Sequence, residues 1–468
     1  MKKYLIAATA ALVIVSCDLP DNGNEKAPEA VPAGTLVANA TVSMVDYMQS
    51  INVNLNNFVL WSQHLTQTTY TDESNFDYNN RDVNGNTFDR MYATVLRDLS
   101  EARKVIATDL TLSEATKAQQ YATIEVLECY AYATLVDIFG DVPYSEAIGD
   151  DLTPAYDAAA SIYADLISRL DAAAGTLSGD NGLGSADLIY GGDGDAWAKF
   201  AASTMLKLGV RLSEADANAG SAAISAAYAH GVMSSSADNA TLSYTSNPPH
   251  TNPLWDDLVQ SGRTDFIASN TLADVMNANS DPRRAFYFKN LDSTGAVTGA
   301  PYGLQSDYYS FSQPGTALES ASRPSSLMDW AEVQFLLAHA AQNGESVGAT
   351  AQAYYEGGIT TSIEDWGGSA ADAATYIAGS TVAWDATNWR ALLGEQKWVA
   401  LYTRGNEAWA TARLYNVPMN VAAGANRVTP NRMGYGIDEY SLNGTNCEAA
   451  GANYNSDDDT ARIFWDVD

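Results

Sequence analysis

Two groups of aromatic residues stand in stretches too polar for a core element. Trp61 is followed by Gln63, Tyr70, Asp72 and Asn75, while Tyr302, Tyr308, Tyr309 and Phe311 are set among Gly303, Gln305, Ser306 and Asp307. A sugar offers apolar C–H faces and a rim of hydroxyls, so it is held by a flat ring beneath it and by amides or carboxylates reaching the rim. Both clusters are therefore candidate ligand contacts. With 10 Trp and 26 Tyr in the chain, most rings must serve packing. Trp330, Trp366, Trp398 and Trp409 fall inside helical patterns and are read as core.

Other chemistry finds less support. Arg404, Glu407 and Arg413 sit close together, but ion pairs tying helices to loops are the commoner use of such residues. A pair of glycosidase carboxylates need only meet in space, so 57 acidic residues leave that option open by count alone. No phosphate-binding loop, dinucleotide turn, nucleophile elbow or His-Glu-x-x-His pattern is present, so no cofactor is expected. His64, His230, His250 and His339 form no i, i+4 pair and nothing favours a metal site. Asp72–Asp77 and Asp457–Asp459 read as solvated acidic loops ahead of Ca²⁺ sites. The net charge of −32 argues against nucleic acid as a partner.

These side chains must be carried by something, and the periodicity is mostly helical. Phe88, Met91, Tyr92, Val95, Leu96, Leu99, Ala102 and Ile106 recur at three- and four-residue steps, one stripe of an amphipathic helix. A second helix is predicted from a capping box at Thr111–Glu114 to Phe139, stopping at Gly140. Further helices are expected near 35–58, 155–177, 195–230, 327–342, 348–366 and 387–414. Between them, 232–326 is broken by Gly and Pro and predicts loops, as does 417–468. No repeat with the ~34-residue tetratricopeptide period stands out.

The chain opens with Lys2 and Lys3, an apolar run from Tyr4 to Val15, then Ser16 and Cys17. This has the form of a secretory signal. Ile14–Cys17 resembles the lipobox of bacterial lipoproteins, which implies acylation of Cys17 after removal of residues 1–16 and an anchor in the outer membrane, while 17–34 reads as a tether. Acidic residues after Cys17 resemble the signal that sends Bacteroidetes-type lipoproteins to face outward. Lipidation leaves Cys129 and Cys447, enough for one disulfide and far short of a disulfide framework.

Several stretches resemble the SusD/RagB family, specifically its SusD-like branch, in order along nearly the whole of 35–468. They are the Trp61–Asn75 segment; Phe139, Gly140, Asp141, Pro143 and Tyr144; Trp197 to Leu212; Asn252-Pro253, Gly262–Asp265 and Asp281–Arg283; Met328–Ala338; and Glu395–Trp409 with Arg413 and Pro418. Two departures are noted: Arg432–Tyr435 lacks the family's usual proline, and His339 stands where many members carry a second glutamate. The resemblance implies a mainly α fold, a tetratricopeptide-like helical scaffold (35–231 and 327–416) with loop-rich regions (232–326 and 417–468) laid across it. It also implies a nutrient-binding lipoprotein, not an enzyme, that closes over a SusC-like TonB-dependent transporter. The ligand would be an oligosaccharide, or by the alternative reading a peptide. Asp265 joins the ligand-binding candidates.

Overall fold

The computed structural model of the chain describes residues 31–467, so Cys17, the signal and most of the tether lie outside the described residues. Ten helices organise the fold: α1 Ala33–Gln49, α2 Arg97–Thr108, α3 Glu114–Phe139, α4 Ala159–Thr176, α5 Gly194–Ala215, α6 Ala217–His230, α7 Trp330–Gln342, α8 Ala351–Asp365, α9 Trp389–Ala400 and α10 Gly405–Tyr415. Successive members pack side by side, α3 on α4, α4 on α5, α5 on α6, α7 on α8 and α9 on α10, while α1 covers α2.

Local chemistry explains most of the boundaries. The predicted stripe buries Met91, Val95, Leu96, Leu99, Ala102 and Ile106. Its first half, Asp89–Leu96, winds as a π-helix before α2 begins. The capping expectation needs correction: α3 is capped by Ser113, whose hydroxyl accepts from the Thr116 amide at 3.1 Å, and Thr111 bonds instead to Asp109. The helix stops at Gly140, φ +84°, where an added Cβ would meet the Tyr454 hydroxyl at 2.3 Å. Two predicted long helices are each broken into two, 195–230 by the Asp216 cap between α5 and α6, and 387–414 by residues 401–404 between α9 and α10. Thr403 there has φ +75°, a left-handed conformation costly for a β-branched residue. Gly405 then lets α10 press against the Phe58–Trp61 turn, since a Cβ would stand 2.3 Å from the Val59 nitrogen.

Four short strands stitch distant segments together. β1 Leu65–Gln67 pairs antiparallel with β3 Phe266–Ala268, and β2 Ala240–Leu242 pairs antiparallel with β4 Ser325–Met328. A buried ionic network joins the helical units. Glu407 on α10 accepts from Arg211 at 2.7 Å and Lys397 at 3.1 Å and pairs with Lys207 at 3.4 Å; Arg211 also pairs with Asp137 on α3, and Arg404 pairs with Glu332 and, at 2.9 Å, with Asp329. Arg413 donates to the Asn431 and Asp137 carbonyls and lies over Trp409 and Trp465, which pins the C-terminal region to the scaffold. Arg404, Glu407 and Arg413 thus fasten helices to loops. Trp398 and Trp409 are core as expected, whereas Trp330 and Trp366 are only half-buried. Cys129 and Cys447 are both buried free thiols.

Candidate functional site

The pairing of β1 with β3 decides which loops meet. Beyond their register of Leu65 with Ala268 and Gln67 with Phe266, the Thr68 amide donates to the Asp265 carbonyl at 2.9 Å and its hydroxyl to the Thr264 carbonyl at 2.7 Å. The Ser306 amide donates to the Thr68 carbonyl at 2.9 Å. Three loops therefore spring from one point: residues 68–82, the segment ahead of Phe266, and the segment after Ser306. In the first, Tyr70, Phe76 and Asp82 all hold a positive φ. Backbone strain of this kind collects where a structure holds side chains in fixed positions for a ligand.

The ten aromatic and polar candidates divide into two sets. Four spend their side chains on packing and on internal hydrogen bonds. Trp61 is 0% exposed and boxed by Phe58, Phe76, Tyr78 and Trp409, with ring centroids 5.3–6.1 Å away. Tyr302 is buried against Phe76, its hydroxyl donating to the Leu60 carbonyl at 2.8 Å. Gln63 is buried with all of its amide engaged, donating to the Asn420 carbonyl and Thr429 hydroxyl and accepting from the Thr271 hydroxyl and the Asn420 amide. Asn75 clasps the Thr71 and Gly303 carbonyls at 2.7 and 2.8 Å and accepts from the Ala425 amide at 2.8 Å. These polar side chains are polar because they replace backbone partners that loops lack.

The other six face outward at least in part. Tyr70 is 65% and Tyr309 82% exposed, large ring surfaces open to solvent. Tyr308 is half-buried and meets Tyr309 edge-on at 5.2 Å. Asp72 is exposed, while Asp265 and Phe311 are half-buried. Tyr70 and Asp265 line one cavity of about 370 Å³, closed below by Ile51 and Phe266.

Sequence reasoning missed several walls of this cavity. Arg81, Arg263, Asp257, Asn52 and Asn54 also line it. Arg81 is held by the buried carboxylate of Glu73 and donates to the Asn54 side chain at 3.3 Å. Arg263 pairs with Asp265 two residues on. Asp257 lies on a π-helical turn, Asp256–Gln260, and burial first, then the nearby carboxylates of Asp256 and Asp265, push its pKa up to about 6. Interrupted helices of this kind recur at functional sites. The available signal was the polar Asn52–Asn57 run and the paired Asp256-Asp257 after a short helix.

A larger groove of about 680 Å³ runs between α2, α3 and α4, and both of its arginines are taken up in ion pairs. Arg103 and Arg169 each pair with both Glu125 and Glu128, which is how helices are tied together. Among the described residues, no group of three or more His, Cys, Asp or Glu is placed to hold a metal ion, and no helix is long and apolar enough to cross a membrane.

The comparisons with known proteins agree with this architecture. A family model, SusD-like and described as starch-binding associating with outer membrane, matches residues 25–436. A search of curated proteins finds no match in sequence. Among solved structures, a chitin-binding SusD homologue from Flavobacterium johnsoniae superposes with a TM-score of 0.79 at 24% identity, covering 92% of this chain and 99% of its own. A Bacteroidetes SusD-like protein gives 0.80 at 21% identity, covering 94% and 100%, and a SusD homologue from Bacteroides uniformis gives 0.79 at 22%, covering 93% and 99%. At these identities the likeness is one of fold, the tetratricopeptide-like helical scaffold with few short strands.

Proposed function

Because this chain belongs to the SusD-like family, we propose that it is a surface lipoprotein which captures an oligosaccharide and passes it to a SusC-like TonB-dependent transporter. The observation that carries this reading is the exposed Tyr70 and Tyr309 on two loops joined through Thr68, with Tyr70 standing over a polar cavity of about 370 Å³. Rings of that kind supply stacking faces, and Asn52, Asn54 and the two arginines supply donors and acceptors for hydroxyls. Relatives named as chitin-binding, and a family described as starch-binding, add weight to a glycan over a peptide. Acylated Cys17 at the end of a tether gives the body freedom to swing while staying near its partner at high effective concentration, so modest affinity suffices for capture.

A second reading has one observation behind it. Asp257, with its raised pKa, and Asp265, paired with Arg263, share one cavity, an acid beside a carboxylate as a glycosidase requires. Calorimetric titration of the purified protein with starch-, chitin- and cellulose-derived oligosaccharides and a peptide panel, with product analysis on the same samples, separates the readings. Glycan affinity without products supports capture. Cleavage supports the enzyme, and affinity for peptides alone overturns the sugar reading.

A further inference from the structure

The charges in the cavity do not balance. Arg81 is neutralised by Glu73 and Arg263 by Asp265. Asp257 is left over: among the described residues its side chain has neither hydrogen bond nor ion pair, although it is half-buried in the cavity wall. The surroundings are acidic as well, with Asp256 and Asp265 both raising its pKa and Arg263 alone opposing them. A half-buried carboxylate without a partner is costly, and the cost is recovered by whatever cation or donor completes it. No trio of ligating side chains assembles here, which disfavours a metal ion as that partner.

Resting on the capture function argued above, we propose that Asp257 makes this cavity selective for amino sugars carrying a free ammonium group, such as the glucosamine units of deacetylated chitin-type oligosaccharides. Tyr70 at the rim provides the ring face that a pyranose needs, so the ammonium is presented by a sugar and not by a lysine side chain. At neutral pH, above a pKa of about 6, Asp257 is ionised and forms a charge-assisted hydrogen bond to the ammonium. The net charge of −32 draws a cationic oligosaccharide toward the whole body before that contact is made.

The test titrates the full-length chain in detergent, wild type and Asp257→Asn, at pH 7 with four probes: hexamers of glucosamine, of N-acetylglucosamine and of glucose in β-1,4 linkage, and hexalysine. Asp257 has no partner to lose and its buried charge is costly at pH 7, so the variant should melt at or above the wild-type temperature. The wild type should bind the glucosamine hexamer at least about tenfold more tightly than its acetylated counterpart. Asp257→Asn should erase that ratio. Neutral hexamers bound equally well or better, or a preference that survives Asp257→Asn, would overturn the proposal and leave glycan capture standing. Hexalysine binding in the absence of any glycan binding would overturn both.

Discussion

Replacing Trp61 by alanine separates packing from recognition more sharply than any other single change. The indole is fully buried and touched by four aromatic rings, so its removal opens a cavity that rigid neighbours cannot close. Large-to-small changes of this type cost about 3–5 kcal/mol. At an unfolding entropy of ~2.1 cal/mol/K per residue, a body of ~440 residues carries about 0.9 kcal/mol/K. The melting temperature should therefore fall by about 3–5.5 °C. Trp61 does not line the cavity, so the protein that remains folded should bind ligand as before. Tyr70→Ala and Tyr309→Ala should behave in the opposite way. Both rings are exposed, so stability should shift by less than ~0.5 kcal/mol, while ligand affinity should weaken by about 1–3 kcal/mol, the worth of one apolar side chain brought out of water. Calorimetric titration and thermal melts on the three variants read both quantities. A Trp61→Ala protein that melts with the wild type yet has lost its ligand would refute this assignment of Trp61 to the core.

Three further outcomes follow from the same structure. Burial would raise the pKa of Glu407, but Arg211, Lys207 and Lys397 outweigh it and hold the carboxyl well below 4.5. Its contribution is thus complete above 4.5 and lost as pH falls further, and Glu407→Gln should destabilise by about 3–5 kcal/mol at neutral pH, measured by urea unfolding, with less acid sensitivity than the wild type. His64 and His339 are buried, and both are lowered to about 3, chiefly by desolvation. Because the unfolded chain takes up their protons first, stability should decline as pH drops from 6.5 toward 3, and a His339→Asn variant should show a slope shallower by up to about 1.4 kcal/mol per pH unit. Cys17→Ala should release the protein from the outer-membrane fraction into the soluble one, and retention of the variant in the membrane would sink the lipid-anchor reading.

Much of the scaffold was legible because helices advertise themselves locally. The stripe from Met91 to Ile106 and the stop at Gly140 depend on residues within one or two turns of each other, so a period of 3.6 and a glycine suffice. The breaks were harder. Asp216 caps α6 within an alanine-rich stretch whose helical propensity carries on across it, and the strained Thr403 turn stands just ahead of the close approach of Gly405 to Phe58 and Val59. At the site, the inference that polar surroundings mean exposure succeeded for Tyr70 and Tyr309 and failed for Trp61 and Tyr302. The difference lies in Gln63 and Asn75, which look like solvent-facing residues but spend their amides on carbonyls and amides more than 200 residues away.

Arg81 and Asp257 were beyond local reading for a related reason. They share a cavity only because β1 and β3, separated by some 200 residues, pair in one register and carry their flanking loops together. A one-residue slip of that register would turn each strand's side chains to the opposite face. Thr68 would then lose the contacts to Asp265 and Thr264 that set the loops side by side. The specificity of the site is thus a property of a three-residue ladder as much as of the side chains that line it. Exchanging loop residues should alter which ligand is held. Proline at Thr68, which removes the amide donated to Asp265, should loosen the whole cavity and weaken every ligand alike.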